Sequence, residues 1–581
     1  MILKFYRPRL ARDLGRDVIR ILRDIRTLGL ALSMTAIPVY GQAANVYSMT
    51  FEAQLNTSLG FSEQTQKDSK ALVAFYAKRD FALFWVNKDK LTNRAEQLLE
   101  HLSKAEEEGL NPKDYMPVSL SGYSTDISHL EGNQKALLQL EIELTQTALK
   151  YARHVSAGRV RPHRLSENLT PTLPLLSTDE TLEGLASSAT LKDFLTSLAP
   201  QHVGYQRLKA ALATARTQTT TTNWTKVPAG RKSLKPGQSD NRIALVRQRL
   251  IESGDYKPAL TEPKSNDDAQ TDTNLELDKA NLYDRDLVKA IKAFQRKKGL
   301  AADGWIGRQT IAVMNRPRPN RAKKILVNME RYRWLPRELG KRHVFVNQAD
   351  YKMHIIDEGK VIHSARVIIG KPKHQTPVFS NEIKTVVFNP YWNVPRSIIK
   401  NEMLPFLLQD PYYLERQGFE VRLTQRTRRR SSFFGWGGGP DISDEKQIVS
   451  VRQPPGPGNA LGRVKFLFPN KHHVYMHDTP TKHLFARNNR AYSHGCVRVQ
   501  NAQRFAEILL RLDANWSPRR VASAIATGEN QYVNLKRKVP VHLAYFTAWI
   551  DENNQFHSRP DIYRRDNILS QAMGQNKLAL K

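Results

Sequence analysis

One cysteine, Cys496, serves a chain of 581 residues. It lies in AYSHGCVRVQ (491–500), directly behind Ser493, His494 and Gly495, rather than in the apolar run that usually houses a buried structural thiol. An ordinary thiol, with a pKa of about 8.5, is only a few per cent ionised at neutral pH, so a reacting Cys496 needs a base. Two histidines qualify. If the segment is extended, His494 leaves the same face as Cys496; His477 closes the strand-like HHVYMHD (472–478) and would be rigidly mounted there. Residue types alone do not choose between them. Gly495 lets backbone come close to a substrate, and the N–H of Cys496 with a neighbouring N–H could form an oxyanion hole. His472, His473, His477, His494 and Cys496 can also be pictured around zinc. However, His473 and His477 share a face only on a helix, and no glutamate completes an HExxH pattern. An inert packed thiol is the other alternative.

Several elements must hold these groups. Residues 45–212 are predicted to be mostly helical, with apolar periodicity over 92–110 and 137–160, the latter stopping at Gly158. Their titratable groups show no convergence, which suggests a scaffold. Residues 213–240 lack periodicity and resemble a linker. A helix at 241–256, with Leu245, Leu250 and Ile251 on or near one face, precedes an acidic stretch (261–275). A helix–loop–helix follows at 283–315, where Leu287, Ile291 and Phe294 mark a buried face. From about 340 the pattern alternates, with a hairpin around DEGK and further strands in EIKTVVFNPYWNVP (382–395). An irregular insert fills 396–462 and contains RLTQRTRRR (422–430). A loop that long needs a task or a core of its own.

The mass of 66.4 kDa implies several domains, and a net charge of +33 favours anionic partners. Residues 1–26 carry eight Lys/Arg against three Asp, followed by the apolar run 28–40 and YGQA with Gly41 and Ala43. That is the order of an export signal over 1–43, or of an uncleaved anchor. Export argues against nucleic acid as a partner. It also makes an unpaired cysteine more conspicuous, because oxidising compartments favour pairs.

The HDTP…SHGCVR arrangement resembles the catalytic motif of the L,D-transpeptidases. ALKYARHVSAGRVRP (148–162), GKPKHQTPVFSNEIKTVVFNPYWNVPRSI (370–398), RQPPGPGNALGRVKFLFPN (452–470) and PVHLAYFTAW (540–549) resemble the large Gram-negative periplasmic subgroup. AFQRKKGLAADGWIGRQT, within 283–315, is similar to the small peptidoglycan-binding module. The resemblance implies an α+β multidomain chain: a helical scaffold, a three-helix peptidoglycan-binding module at 241–316, a β-rich catalytic domain at 322–540 with a cap at 396–462, and a C-terminal segment 541–581. It implies Cys496 as nucleophile and His477 as base, the latter oriented by the backbone carbonyl of Asp478. Ser493, His494 and Gly495 would shape the oxyanion pocket, Arg498 would meet a substrate carboxylate or form a structural salt bridge, and Tyr475 and Trp392 would line the substrate site. Peptidoglycan is the implied partner; the basic charge, for its part, admits either a solvated, solubilising surface or attraction to an anionic wall polymer or lipid surface. No metal or cofactor is required.

On that reading the enzyme joins meso-diaminopimelate residues in 3→3 cross-links and is acylated by carbapenems. The rivals are hydrolysis as an L,D-carboxypeptidase, lipoprotein attachment or release, and a non-catalytic wall-binding role. In the insert, Phe433, Phe434 and Trp436 could exclude water, Gly437, Gly438 and Gly439 could permit movement, and Arg428, Arg429 and Arg430 could meet stem carboxylates or simply be solvated.

Overall fold

A computed structural model describes Ala53 and residues 63–88, 90–217, 224–257, 280–316, 320–424 and 442–574. The export signal at 1–43, the acidic stretch 261–275, and the arginines, aromatics and glycines at 428–439 lie outside these residues. The chain divides into two compact units, Met1–Ala82 and Leu83–Lys581. In the first, Glu63–Ala77 is a helix. Everything below concerns the second.

The scaffold holds helices α1 (Asn93–Ser103), α2 (Gln134–Ala157) and α3 (Val203–Thr217). Thr92 caps α1 by accepting from the Ala95 N–H, and α2 ends where Gly158 adopts φ 92°, a conformation that suits a residue without Cβ. The scaffold is not devoid of converging charges. Glu108, buried in the 3₁₀ turn after α1, accepts from the Tyr205 hydroxyl at 2.5 Å, and that hydroxyl accepts from Arg333 Nη2 at 2.9 Å. Arg333 also donates to Glu330, whose other oxygen accepts the N–H groups of Arg159 (2.6 Å) and Val160 (3.0 Å). These partners are far apart in sequence, which hid the network from a local reading.

Helices α4 (Arg242–Glu252), α5 (Arg285–Lys298) and α6 (Arg308–Met314) form the small module. Leu287, Ile291 and Phe294 are buried in its core as their spacing requires. On α4 the buried residues are Ile243, Val246, Arg249 and Leu250, whereas Ile251 is 41% exposed. The expected linker splits: α3 runs into it to Thr217, while Val227 and Leu234 belong to the module core and Leu234 bridges Ile306.

Helix α7 (Arg321–Tyr332) leads into the β-rich domain. Its strands are β1 (Arg342–Asn347), β2 (Lys352–Asp357), β3 (Lys360–Gly370), β4 (Phe379–Phe388), β5 (Trp392–Asn393), β6 (Glu420–Leu423), β7 (Ile448–Gln453), β8 (Val464–Leu467), β9 (Met476–His477), β10 (Ala491–Ser493), β11 (Val497–Val499) and β12 (Gln531–Ala544). The main sheet runs β10-β3-β11-β9-β8-β4-β12-β1-β2, and β2 pairs again with β3, so eight strands close a ring. Glu358 and Gly359 turn β2 into β3 with φ of 49° and 75°, the positive pair a two-residue hairpin demands. Helix α8 (Ala502–Ala514) packs on the sheet through Phe505, 4.3 Å from the Phe466 ring. The boundary expected at 540/541 falls inside β12, and helix α9 (Arg565–Ala572) packs into the same core through Leu569.

The insert has its own small sheet, β5-β7-β6. A core of its own includes Ile399, Leu407, Ile448 and Val451. It returns to the main sheet at β8, and HHVYMHD is strand only at Met476–His477.

Candidate active site

Strands β9 and β11 run parallel, with Met476 opposite Val497 and His477 opposite Arg498. Met476, Val497 and Val499 are fully buried in the core. Alternation therefore turns His477 and Arg498, with the flanking Tyr475 and Cys496, to the other face. Lys465 on β8 lies opposite His477 and joins that face.

His477 Nδ1 lies 2.5 Å from the Asp478 carbonyl oxygen. A carbonyl only accepts, so Nδ1 carries the hydrogen and Nε2 keeps its lone pair. Burial, reinforced by the positive charge of Arg498, lowers the imidazole pKa to about 3, against the opposing pull of the Asp478 and Leu461 carbonyls. His477 is thus neutral near pH 7.

The Asp478 side chain is fixed as well. It accepts from the Arg463 N–H at 3.0 Å and from Lys482 Nζ, and it packs over Gly462, where any Cβ would collide with it. It braces the carbonyl that orients His477.

Cys496 is half-buried. Burial raises its pKa, partly offset by the backbone N–H and hydroxyl of Tyr475 and by the charges of Lys465 and Arg498. The thiol and the imidazole are therefore both neutral near pH 7. The Tyr475 hydroxyl is held between Cys496 and the Trp392 indole, and burial keeps it protonated. Lys465 Nζ sits 3.9 Å from the centre of the Tyr475 ring.

Gly495 adopts φ 115°, so the segment carrying Cys496 is not extended. His494 turns away to Glu402 of the insert, with Nε2 2.5 Å from Oε1, and stacks near His374 at 4.9 Å between ring centres. That break removes the premise on which His494 could share the face of the thiol. Ser493 Oγ donates to the Cys496 carbonyl at 2.5 Å and accepts the Gly495 N–H at 3.1 Å. The Val497 N–H donates to the Tyr475 carbonyl at 3.1 Å. Both amides flanking Cys496 are thus committed, so an oxyanion hole cannot be built from adjacent N–H groups.

Arg498 donates to the Thr481 hydroxyl at 3.2 Å, and its Nε has no protein partner. Among the described residues neither Arg498 nor Lys465 lies within ion-pair distance of a carboxylate, so the structural salt bridge considered for Arg498 is not formed there. Thr376, Lys465 and Glu402 were missed. Thr376 donates to the Gly495 carbonyl at 2.8 Å, and it lies in the GKPKHQTPVF block that carried the family resemblance. Glu402 has no local signal, because its role depends on how the insert folds.

The histidines considered for zinc are apportioned elsewhere: His472 Nε2 lies 2.7 Å from the Thr170 hydroxyl, and no three His, Cys, Asp or Glu among the described residues group to hold a metal. No described helix is long and apolar enough to cross a membrane.

Residues 341–541 match the family model described as the L,D-transpeptidase catalytic domain, residues 239–314 a "Putative peptidoglycan binding domain", and residues 70–212 a scaffold domain. A curated protein of Haemophilus influenzae named "Putative L,D-transpeptidase" is 34% identical over 280 residues, covering 47% of this chain and 55% of the relative. The chain therefore spans about half the length of that relative. Among solved structures, an L,D-transpeptidase from Xylanimonas cellulosilytica is 14% identical with a TM-score of 0.17, covering 54% of this chain and 99% of that one. One from Stackebrandtia nassauensis is 14% identical with a TM-score of 0.19, covering 56% and 97%.

Proposed function

We propose that the protein, whose residues 341–541 match the L,D-transpeptidase catalytic domain model, is a cysteine acyltransferase that forms 3→3 cross-links in peptidoglycan. The observation that carries this is the placement of Cys496 and His477 on neighbouring parallel strands, facing one side, with His477 Nδ1 held by the Asp478 carbonyl.

The donor is a tetrapeptide stem. Cys496 Sγ attacks the carbonyl of its third residue while His477 Nε2 takes the thiol proton. The C–N bond breaks, and the imidazolium returns that proton to the departing D-alanine amine. The resulting thioester retains the energy of the cleaved peptide bond. The side-chain amine of a second diaminopimelate then attacks, His477 takes its proton, and the C–S bond breaks to restore the thiol. No external energy source enters. The oxyanion would be met by the Cys496 N–H and the Tyr475 hydroxyl, because the neighbouring amides are occupied. Arg498 and Lys465, two cations without carboxylate partners among the described residues, suit the carboxylates of the stem. The small module would hold the protein on the polymer, and the basic N-terminal segment would direct it to the periplasm.

Mass analysis of purified protein incubated with disaccharide tetrapeptide tests the proposal. We expect cross-linked dimer, absent with Cys496→Ala. Tripeptide alone would make the enzyme a carboxypeptidase, and unchanged substrate would remove the catalytic reading.

A further inference from the structure

A cavity of about 130 Å³ is lined by Gln375, next in chain to the Thr376 that holds the Gly495 carbonyl. It forms where the segment leaving the scaffold meets the start of β4, the end of β12 and helix α9. Leu165, Phe379, Leu543 and Leu569 give it apolar walls, and Ile568, 44% exposed, stands at its edge. An apolar cavity of comparable size admits a benzene ring.

The cavity is not wholly apolar. Arg331 and Arg565 line it, and each is only 5% exposed. Their guanidiniums lie 5.1 and 5.0 Å from the same ring, that of Tyr545. Arg331 Nη1 is satisfied by Asp566 at 2.6 Å, whereas Arg331 Nη2 and Arg565 Nη1 have no protein partner. A guanidinium only donates, so these N–H groups call for an acceptor; Arg331 already has Asp566 as counter-ion, whereas among the described residues no carboxylate lies within ion-pair distance of Arg565, so an anion answers it better than a neutral group does. Burial, with the charge of Arg331 adding to it, lowers the Arg565 pKa to about 10.

We propose that this cavity is a binding site for a small organic carboxylate with an apolar body. The carboxylate seats against Arg331 and Arg565, and the body lies against Leu543 and Leu569. Occupancy reaches the nucleophile through a short series of contacts. Arg565 donates to Gln375 Oε1 at 2.8 and 3.1 Å and to the Thr376 carbonyl at 3.3 Å. Thr376 Oγ1 in turn donates to the Gly495 carbonyl at 2.8 Å, one residue before Cys496. These bonds use Arg565 Nε and Nη2, so a ligand seated on the free Nη1 pulls on the same rigid guanidinium and shifts the turn. This site is separate from the acyl-transfer chemistry and needs no substrate of that reaction to be tested.

The test uses the full chain and three probes: benzoate, benzyl alcohol and inorganic phosphate. Calorimetry should show saturable benzoate binding, at least about tenfold tighter than benzyl alcohol, with phosphate weaker still. Ile568→Trp and, separately, Leu165→Trp obstruct the cavity and should each weaken benzoate by about tenfold or more. Because Cys496 is the only thiol, iodoacetamide reports on it alone, and saturating benzoate should change its alkylation rate at least about twofold in the wild type but not in the variants. Absence of saturable benzoate binding, equal binding by both variants, or phosphate binding as tight as benzoate would overturn the site. Benzoate binding with an unchanged alkylation rate would overturn the coupling to Cys496.

Discussion

At the scale of single residues, the pair that matters is neutral. Burial raises the Cys496 thiol and holds His477 near 3, so proton transfer must accompany attack and no standing thiolate–imidazolium pair waits for substrate. Alkylation of Cys496 by iodoacetamide should therefore rise steadily between roughly pH 6 and 9, following the thiol. A plateau already reached at about pH 5 would mean a preformed ion pair. His477→Ala should slow acylation by about 10²–10⁴-fold, the usual share of a general base, and His494→Gln should cost less because its ring meets Glu402. The reverse order would remove His477 as base. Tyr475→Phe should cost about 10²-fold in acylation rate if its hydroxyl meets the oxyanion; an unchanged rate would exclude that donor. The sequence disclosed Cys496 and His477 because their signals are local: one thiol in a polar setting, one histidine at a strand end. Their bracing was hidden. Nothing in HDTP says that the Asp478 carboxylate accepts the Arg463 N–H, which meets it only after β8 and β9 pair; Lys482, four residues on, is a local partner.

At the scale of elements, among the described residues the insert and the strand β5 that leads into it meet the site at Glu402 to His494 and Trp392 to Tyr475. Its small core depends on Leu407, which is fully buried. Leu407→Ala should loosen it by about 2–5 kcal/mol, detected as faster amide exchange over 396–453 with the main sheet unaffected. Water would then compete better for the thioester, and product should shift from dimer toward tripeptide. An unchanged ratio together with faster exchange would show that the insert does not favour transfer over hydrolysis. Periodicity disclosed the β-rich character of the domain and the DEGK hairpin, both short-range features. It did not disclose β6 and β7, whose four and six residues carry little pattern and whose pairing is long-range.

At the scale of the whole molecule, the scaffold is joined to the segment that opens the β-rich domain by the hydrogen bonds of a buried ion pair, Arg333 with Glu330, to Tyr205, Arg159 and Val160. Arg333 and Glu330 are 1% and 0% exposed, and Glu330 also holds the backbone of Arg159 and Val160. Glu330→Gln leaves a buried guanidinium without its charge partner, which should cost about 3–5 kcal/mol in chemical denaturation. A loss within about 0.5 kcal/mol would mean that Glu108 and Tyr205 suffice for Arg333. Composition reads such residues as surface charge, which is why this joint escaped the sequence. The small module plays a different part. Removing 224–316 should weaken pelleting with intact sacculi and spare turnover of a soluble stem peptide; loss of both would make it integral to catalysis.

The closed ring also governs how the molecule is made. Strand β12, the last of the ring in chain order, slots between β4 and the first strand, with Val541 beside Val344. Neither neighbour can complete its ladder until that distant segment arrives, so folding is dominated by long-range contacts and should be slow. A lone cysteine means that no disulfide shuffling lies on this route. The refolding rate should therefore be indifferent to thiol oxidants and sensitive to substitutions in β12. Until β12 docks, β1 and β4 offer bare edges to other chains, and that interval is when the protein most needs a chaperone.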